Sequence, residues 1–129
     1  MIRSKRLKII LAGLASLVIL AILALGIRNG LIGAQIAATY PGDGGDIGAT
    51  GKAGIRFAQP MHTHEVEQRI HIQPDISGDF AWDGNTIWFT PRAPWSQGVT
   101  YTLRLDAGAT SLDGRKVLKQ RILQFRIRQ

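Results

Sequence analysis

The sequence contains no cysteine among its 129 residues. This absence excludes a disulfide framework, a thiolate metal site and a cysteine nucleophile. The sequence also lacks the catalytic motifs that spacing alone reveals, such as the GxSxG nucleophile elbow, the HExxH zinc motif and the paired-carboxylate spacing of acid–base catalysis. It contains no internal repeat and no low-complexity segment. We therefore expect a domain that is not an enzyme and is held together by its hydrophobic core.

Charge is absent from one long stretch near the N-terminus. Residues 9–27, IILAGLASLVILAILALGI, are uncharged and mostly apolar. As a helix with a rise of ~1.5 Å per residue they would span roughly 28 Å, close to the thickness of the hydrocarbon core of a bilayer. Residues 1–8 carry four basic side chains and no acidic one, which by the positive-inside rule keeps the N-terminus in the cytoplasm. The predicted segments are a cytoplasmic tail at 1–8, a transmembrane signal-anchor helix at 9–27, a juxtamembrane connector at 28–34 and an extracytoplasmic domain at 35–129.

A cleaved signal peptide is the alternative interpretation of the same segment. Ala24 and Gly26 are small residues at the spacing that signal peptidase recognises, and residues 9–23 would form the apolar h-region. The apolar run continues to Ile27 without the polar segment that would follow the h-region of a signal peptide, which favours an uncleaved anchor. The first interpretation gives a single-pass protein of the cytoplasmic membrane with its N-terminus inside, and the second gives a secreted domain.

The basic character of the chain follows mainly from this topology. The net charge is +7 and the pI is about 10.6, but beyond residue 28 eleven basic residues face nine acidic ones. We therefore expect no nucleic-acid partner. A local excess of positive charge follows Asp113, and either a solvated strand face or contact with anionic lipid head groups or an acidic surface polymer would explain it. Its members are Arg115, Lys116, Lys119, Arg121, Arg126 and Arg128.

The remainder of the chain predicts an all-β domain. No helical stretch of 10–15 residues lies between its apolar segments, so parallel βαβ units are not expected. Residues 41–54, PGDGGDIGATGKAG, predict a loop, and HTHEVEQ at 62–68 predicts a single helical turn. Apolar and polar residues alternate in segments near 36–40, 55–58, 69–73, 78–83, 86–91, 101–106 and 123–128. About seven strands with one apolar face each predict an antiparallel Ig-like β-sandwich behind the N-terminal transmembrane helix.

The stretch GDFAWDGNTIWFTP, residues 78–91, predicts a β-hairpin whose two-residue loop is Gly84-Asn85. The loop pairs Asp83 with Thr86, Trp82 with Ile87, Ala81 with Trp88 and Phe80 with Phe89. Alternation places Phe80, Trp82, Ile87 and Phe89 on the core face. Trp88 is the one large apolar residue on the opposite face. It either stacks over its own sheet or beneath a neighbouring loop, or it contacts a partner domain, a glycan or a lipid interface.

Several motifs together resemble the SbsA-type bacterial Ig-like domains. They are TYPGDGG, IRFAQPM at 55–61, the hairpin at 78–91, PWSQGVTYTLRLDAGATSLDG at 94–114 and LQFRI at 123–127. The resemblance covers about residues 35–128 and implies a non-catalytic module of a cell-surface or exported multidomain protein. It brings no common ligand and no catalytic residue. Trp95 stands where the family usually has leucine and is predicted to plug the end of the sandwich, and Tyr101 resembles the tyrosine corner of Ig-like domains.

A histidine cluster is the one candidate metal site in the sequence. His62 and His64 would point the same way in an extended segment, and His71 follows nearby, with Met61 as the methionine available. CopC-like periplasmic copper proteins are also Ig-like sandwiches, but their methionine-rich and N-terminal histidine ligands have no counterpart here. We therefore expect solvated loop histidines, with no metal and no cofactor.

These observations predict a membrane-anchored extracytoplasmic module of the cell envelope with a structural, adhesive or protein-interaction role. Its partners would be the membrane, through the anchor, and another envelope protein or a surface polymer. Two alternatives stay open at this point. One is a CopC-like carrier of copper or of another metal or small ligand, and the other is an accessory domain of an envelope enzyme.

Overall fold

The computed structural model describes residue 8, residues 12–23 and residues 32–129 of the chain. The chain divides into two compact units, Met1–Ile32 and Gly33–Gln129. In the first unit, residues 12–23 are helical (α1) and exposed. Among the described residues no helix is both long and apolar enough to span a bilayer. The predicted anchor at 9–27 is therefore not confirmed, and most of the predicted tail and connector and both ends of the anchor lie outside the described residues.

The second unit contains eight strands and one short helix. The strands are β1 (Ile36–Tyr40), β2 (Asp46–Ile47), β3 (Ala53–Phe57), β4 (Ile70–Gln73), β5 (Gly78–Asp83), β6 (Thr86–Pro91), β7 (Thr100–Leu105) and β8 (Arg121–Ile127), and the helix is α2 (Thr63–Glu67). One sheet has the strand order β1-β3-β6-β5 and the other has the order β2-β8-β7-β4. The predicted sandwich of short strands and the predicted helical turn after Met61 are both confirmed.

Strand β2 was not predicted, because it lies inside the glycine-rich segment that predicts a loop. It has only two residues, too few to show an alternation of polar and apolar side chains, and it pairs in parallel with β8 through Asp46–Arg126 and Ile47–Ile127. The sandwich therefore has eight strands, and one of its pairings is parallel where an all-antiparallel arrangement was expected. Strand β3 also begins at Ala53, inside the same predicted loop.

The core lies between the two sheets and is formed by alternate residues of their central strands. These residues are Ile55 and Phe57 of β3, Ile87 and Phe89 of β6, Leu103 and Leu105 of β7, and Leu123, Phe125 and Ile127 of β8, all of them buried. The side chains that alternate with them are mostly polar and more exposed, as in Arg56, Gln124 and Arg126. This period of two is the pattern of a sheet with one face in the core.

Trp95 fills the middle of an aromatic cluster in this core. Its ring centroid lies 4.7 Å from that of Tyr101, 5.2 Å from that of Phe125 and 5.7 Å from that of Phe89. Only 2% of Trp95 is exposed, and its indole N–H donates a hydrogen bond to the carbonyl of Gly51 at 2.7 Å. The burial of Trp95 was predicted, and the structure adds that it joins aromatic residues of both sheets.

Tyr101 forms the predicted tyrosine corner. Its hydroxyl accepts a hydrogen bond from the backbone N–H of Ser96 at 3.1 Å, and its ring is buried against Trp95. The bond ties the start of β7 to the loop that precedes it, which fixes the position of that loop over the end of the core.

The hairpin of β5 and β6 has the predicted register. All four predicted pairs are present, from Asp83–Thr86 to Phe80–Phe89, and the ladder continues to Gly78–Pro91. Ile87 and Phe89 are buried, whereas Phe80 and Trp82 lie on the same face but are half-buried at the edge of the core. This difference arises because β6 is paired on both sides and β5 is an edge strand.

The two ends of the sandwich differ in how they are built. The chain enters at the end that we call the proximal end, where the N–H of Ala34 donates to the carbonyl of Lys116 at 2.7 Å. Residues 106–120, which connect β7 to β8, cover this end. Glu65 of α2 holds the connection in place by accepting hydrogen bonds from the hydroxyl and the N–H of Thr110. The hydroxyl bond, followed by the N–H bond, lowers the pKa of Glu65 below its ordinary value.

Candidate functional site

Trp88 lies on the outer face of the first sheet, as the hairpin register requires. The pairings of β1, β3, β6 and β5 place Tyr40, Gly54, Trp88 and Ala81 in one row across this face. The two residues that flank Trp88 in the row are therefore the smallest possible for a strand. The large indole ring has room to lie over the sheet because neither neighbour carries a side chain that would displace it.

The indole ring of Trp88 rests on Gly54 and contacts two further side chains. A Cβ atom placed on Gly54 would lie 2.6 Å from Cε3 of Trp88, which is closer than any real contact. The ring centroid of Tyr40 is 5.2 Å away at an interplanar angle of 31°, and Nζ of Lys52 lies 4.5 Å from the ring centroid of Trp88. We call these four residues the outer aromatic site.

The outer aromatic site fits the first interpretation of Trp88, in which the ring stacks over its own sheet, and contact with a partner stays a prediction. The ring stacks over its own sheet and is half-buried there, yet part of it stays accessible on the face that points away from the core. Exposed aromatic rings beside a cation suit flat or CH-rich partners, such as a sugar ring or an aromatic or proline side chain. The arrangement provides contact area and one positive charge.

Tyr40, Lys52 and Gly54 were not singled out by the sequence. Each lies more than thirty residues from Trp88, and only the pairing of β1 with β3 and of β3 with β6 brings them together. No local motif signals that pairing. The glycine-rich sequence around Gly54 predicts a loop, but Gly54 is a strand residue whose missing side chain makes room for the indole ring.

Two of the three candidate metal ligands have separate carboxylate partners. His64 of α2 lies 3.6 Å from the carboxylate of Glu67, and His71 of β4 lies 3.0 Å from that of Asp106, while His62 is exposed at the start of α2. Within the described part of the chain no three histidine, aspartate or glutamate side chains form a group that could hold a metal ion. The structure therefore does not bring the predicted histidine cluster together.

Met61, the methionine available to that cluster, is buried in the core. Its sulfur atom accepts a hydrogen bond from the side-chain amide of Gln59 at 3.1 Å. A buried thioether that already has a polar partner is a packing group, so it adds nothing to an exposed metal site.

An open groove of about 460 Å³ lies between β4 and β5, the edge strands of the two sheets. Two arginines line it, and both are held by carboxylates. Arg92 donates to both carboxylate oxygens of Asp79 at 2.7 and 3.3 Å, and Arg104 donates to Asp106 at 2.8 Å. The Arg92 hydrogen bond lowers the pKa of Asp79. The groove therefore offers these two cations only as neutralised pairs, which makes it a poor site for an anionic ligand.

Comparison with known families and structures identifies the fold. The family model described as "Bacterial Ig-like domain" matches residues 32–126. No curated protein matches the chain. Among solved structures, an L,D-transpeptidase from Mycobacterium smegmatis is 22% identical with a TM-score of 0.55, and the match covers 74% of this chain and 40% of that one.

Two further solved structures extend this comparison. L,D-transpeptidase 3 from Mycobacterium tuberculosis is 18% identical with a TM-score of 0.54, and the match covers 73% of this chain and 37% of that one. PcoC, a methionine-rich copper resistance protein from Escherichia coli, is 13% identical with a TM-score of 0.55, and the match covers 74% of this chain and 99% of that one.

The comparisons agree on the sandwich and differ in the proteins that carry it. At these identities the solved structures share the fold alone, since one fold carries many functions. The chain matches only about 40% of the length of the M. smegmatis transpeptidase. The family match spans almost the whole unit Gly33–Gln129, including both sheets and the outer aromatic site. This chain belongs to the bacterial Ig-like domain family.

Proposed function

We propose that this protein is a membrane-anchored, extracytoplasmic Ig-like module of the bacterial cell envelope, of the SbsA type and without catalytic activity. The observation that carries the proposal is an Ig-like sandwich joined to an uncharged apolar run at 9–27 that follows a basic tail. Such a run needs an apolar environment, and the basic tail orients it with the N-terminus inside. The domain then lies on the outer side of the cytoplasmic membrane.

The role of the module is to contact another envelope component rather than to transform a small molecule. Its core is filled by side chains from both sheets, and the cations of its edge groove are neutralised. The outer aromatic site instead offers an accessible indole ring and the ammonium group of Lys52 on a flat sheet face. This chemistry fits a partner protein or a surface polymer that stacks on the ring.

Membrane topology is the experiment that tests the proposal. The chain has no cysteine, so Gln97→Cys in an exposed loop and Ser4→Cys in the basic tail each introduce one thiol. In spheroplasts, a membrane-impermeant thiol reagent should label the first variant at once and the second only after permeabilisation. The protein should also stay in the membrane fraction after carbonate extraction. Labelling of Ser4→Cys in closed spheroplasts, or release by carbonate, would overturn the anchored topology.

The same samples separate the anchor from a cleaved signal peptide. Intact mass measurement of the protein from the membrane fraction should give the full chain if the segment at 9–27 is retained. A shortened chain that begins after residue 26, recovered in the soluble exported fraction, would support the secreted form instead.

A second candidate is an accessory domain that works with an envelope enzyme. It is favoured by the transpeptidase structures, in which the matched region makes up roughly 40% of the chain. Chemical crosslinking in native membranes followed by mass spectrometry tests it, with Trp88→Thr as the matched variant. Recovery of an enzyme with the unmodified protein and its loss with the variant would support this role. The metal-carrier alternative is matched by the PcoC structure at 13% identity. Against it, His64 and His71 have separate carboxylate partners, and no group that could hold a metal ion forms among the described residues.

A further inference from the structure

The folded unit exposes large aliphatic side chains in one short segment only. Within residues 33–129 the large apolar residues classed as exposed are Leu112, Leu118 and Ile122, with 63%, 53% and 44% of their surface accessible. All three fall within eleven residues of the connection from β7 to β8 and the start of β8. A contiguous patch of exposed apolar side chains commonly marks an interaction surface, and these three residues are close together along the chain.

This segment lies at the proximal end, where the chain enters the sandwich. The carbonyl of Lys116 accepts the hydrogen bond from Ala34, and a Cβ atom placed on Gly33 would lie 2.6 Å from Cγ of Leu118. Only six peptide links separate Gly33 from Ile27, the last residue of the apolar run. A chain of that length reaches at most roughly 20 Å, which is therefore the upper limit on the distance between Ile27 and Gly33.

The positive charge of the same segment is available to a partner. Lys116, Lys119 and Arg121 are exposed, and none of them forms an ion pair with a described residue. Arg115, in contrast, is paired with Asp113 at 2.9 Å. We call Leu112, Leu118 and Ile122, together with Lys116, Lys119 and Arg121, the proximal lip.

The basic run that the sequence shows after Asp113 is therefore divided by the fold. Strand β8 carries Arg126 five residues beyond Arg121, which corresponds to roughly 17 Å along an extended strand. Arg126 and Arg128 consequently lie toward the opposite end of the sandwich, beside β2. Only the three unpaired cations of the proximal lip accompany exposed aliphatic side chains.

We propose that the proximal lip docks on the anionic phospholipid surface of the membrane, with its leucine and isoleucine side chains in the head-group region and its cations on the lipid phosphates. This inference rests on the proposed anchoring of the chain. A mixture of aliphatic and basic side chains is what an interfacial membrane contact requires, since apolar area and attraction to anionic lipid add to each other. An acidic polymer in water would attract the cations, but it would not bury the exposed leucine side chains.

The docked lip would hold the sandwich upright and turn its outer surfaces away from the bilayer. The proximal end would face the lipid, and the opposite end, with the loop before β7, would face the periplasm or the cell exterior. The outer aromatic site lies on a sheet face rather than at an end, so docking leaves it free for a partner.

The test uses the full chain reconstituted into vesicles, with one cysteine introduced as Leu118→Cys and labelled with an environment-sensitive fluorophore. Lipids that carry a quencher near the head group should quench this label in vesicles of phosphatidylglycerol and phosphatidylcholine. The matched control is Gln97→Cys at the opposite end, which should stay unquenched. Leu112→Cys provides a second lip position, since Leu118 also contacts the backbone near Gly33.

The second part of the test removes the positive charges of the proximal lip. In the Leu118→Cys background, Lys119→Gln and Arg121→Gln should each lower the docked population relative to the undocked one about fivefold. Pure phosphatidylcholine vesicles remove the attraction of all three cations and should have a larger effect on the labelled protein that keeps Lys119 and Arg121. If the lipid-borne quencher quenches the labels at 112 and 118 no more than the label at 97 in anionic vesicles, the inference is wrong. A change in the fluorescence of the lip labels that appears only when a soluble anionic polymer is added would also overturn the inference.

The outcome also separates this inference from the proposed function. Release of the full chain by carbonate would reject both the membrane anchor and the docking of the proximal lip. A chain that resists carbonate but leaves both lip labels unquenched would keep the anchored module and reject lipid docking.

Discussion

Trp95 and Trp88 show how one residue type serves two different purposes in a single sandwich. Trp95 is buried among Phe89, Tyr101 and Phe125, and its indole N–H has a carbonyl partner in Gly51. Trp88 lies on the outside of the first sheet and is only half-buried there. The first joins the two sheets, whereas the second covers the backbone of one sheet.

The difference comes from the residues that surround each ring. Aromatic neighbours from β6, β7 and β8 enclose Trp95 on several sides, so its removal would leave a cavity. Trp88 has Gly54 and Ala81 beside it in the sheet, and its other contacts are Tyr40 and the flexible Lys52. The stability of the fold should therefore depend strongly on Trp95, and partner binding should depend on Trp88.

Replacing Trp95 with alanine should cause the largest loss of stability. The substitution removes a buried ring and a hydrogen bond and opens a cavity between the sheets. We expect the free energy of unfolding to fall by about 3–5 kcal/mol. Urea denaturation followed by circular dichroism measures the change. A loss below about 1 kcal/mol would mean that Trp95 is not the centre of the core.

Gly54→Ala tests whether the glycine is required beneath Trp88. The new methyl group would meet Cε3 of Trp88 at 2.6 Å and the carbonyl oxygen of Ile87 at 2.8 Å. We expect a loss of about 1–3 kcal/mol in the free energy of unfolding, from strain in the sheet and displacement of the ring. The matched control is Gly42→Ala, where a Cβ atom has no neighbour within 4 Å and stability should hardly change.

Combining Gly54→Ala with Trp88→Ala separates the clash with the indole ring from the clash with the carbonyl oxygen of Ile87. Removing the indole ring relieves the contact with Cε3 but leaves the contact with the backbone of Ile87. The double variant should therefore recover only part of the stability that the single glycine substitution loses. Full additivity of the two single effects would show that the ring does not rest on Gly54.

Trp95 and Trp88 also show which features of the fold the sequence could predict and which it could not. The hairpin register was predictable, because alternation on both sides of a Gly-Asn turn determines which residue faces which. Burial of Trp95 followed from its place in a motif that resembles the family. The surroundings of Trp88 were not predictable, since they depend on the pairing of β3 with β6, which no local signal specifies.

Strand β2 and the proximal lip show the same limit. A two-residue strand has no period to detect, and its parallel partner β8 lies about eighty residues away along the chain. The sequence showed the cations after Asp113 as one run, and the fold divides them by pairing Arg115 and by extending β8 toward the opposite end. Long-range pairing decides both features, so composition and spacing could not reveal them.

Trp88→Thr should alter binding more than stability. Threonine suits an exposed strand position, and the lost contacts with Tyr40 and Lys52 lie at the surface, so we expect the free energy of unfolding to fall by about 1 kcal/mol. Crosslinking to envelope partners in native membranes should decrease at least severalfold. Thr90→Val, on the same exposed face of β6, is the matched control and should leave crosslinking unchanged. Equal crosslinking in both variants would leave the outer aromatic site without a role in binding.

Trp82→Phe should have the smallest effect and completes the comparison of the indole groups. The Nε1 atom of Trp82 is buried and has no hydrogen-bond partner among the described residues, whereas that of Trp95 donates to Gly51. A buried N–H without a partner carries a desolvation cost of about 1–3 kcal/mol, which phenylalanine removes. That gain should offset the loss of ring area and of part of the stacking on Phe57, whose ring centroid lies 6.2 Å away.

The measurement that checks this prediction is a pair of denaturation curves. Trp82→Phe should stay within about 0.5 kcal/mol of the unmodified protein, while Trp95→Phe, which loses a satisfied hydrogen bond as well as ring area, should cost at least about 1 kcal/mol more. If the two substitutions cost the same, the indole N–H of Trp82 must have a partner in solution. The contrast between the two residues would then rest on packing alone.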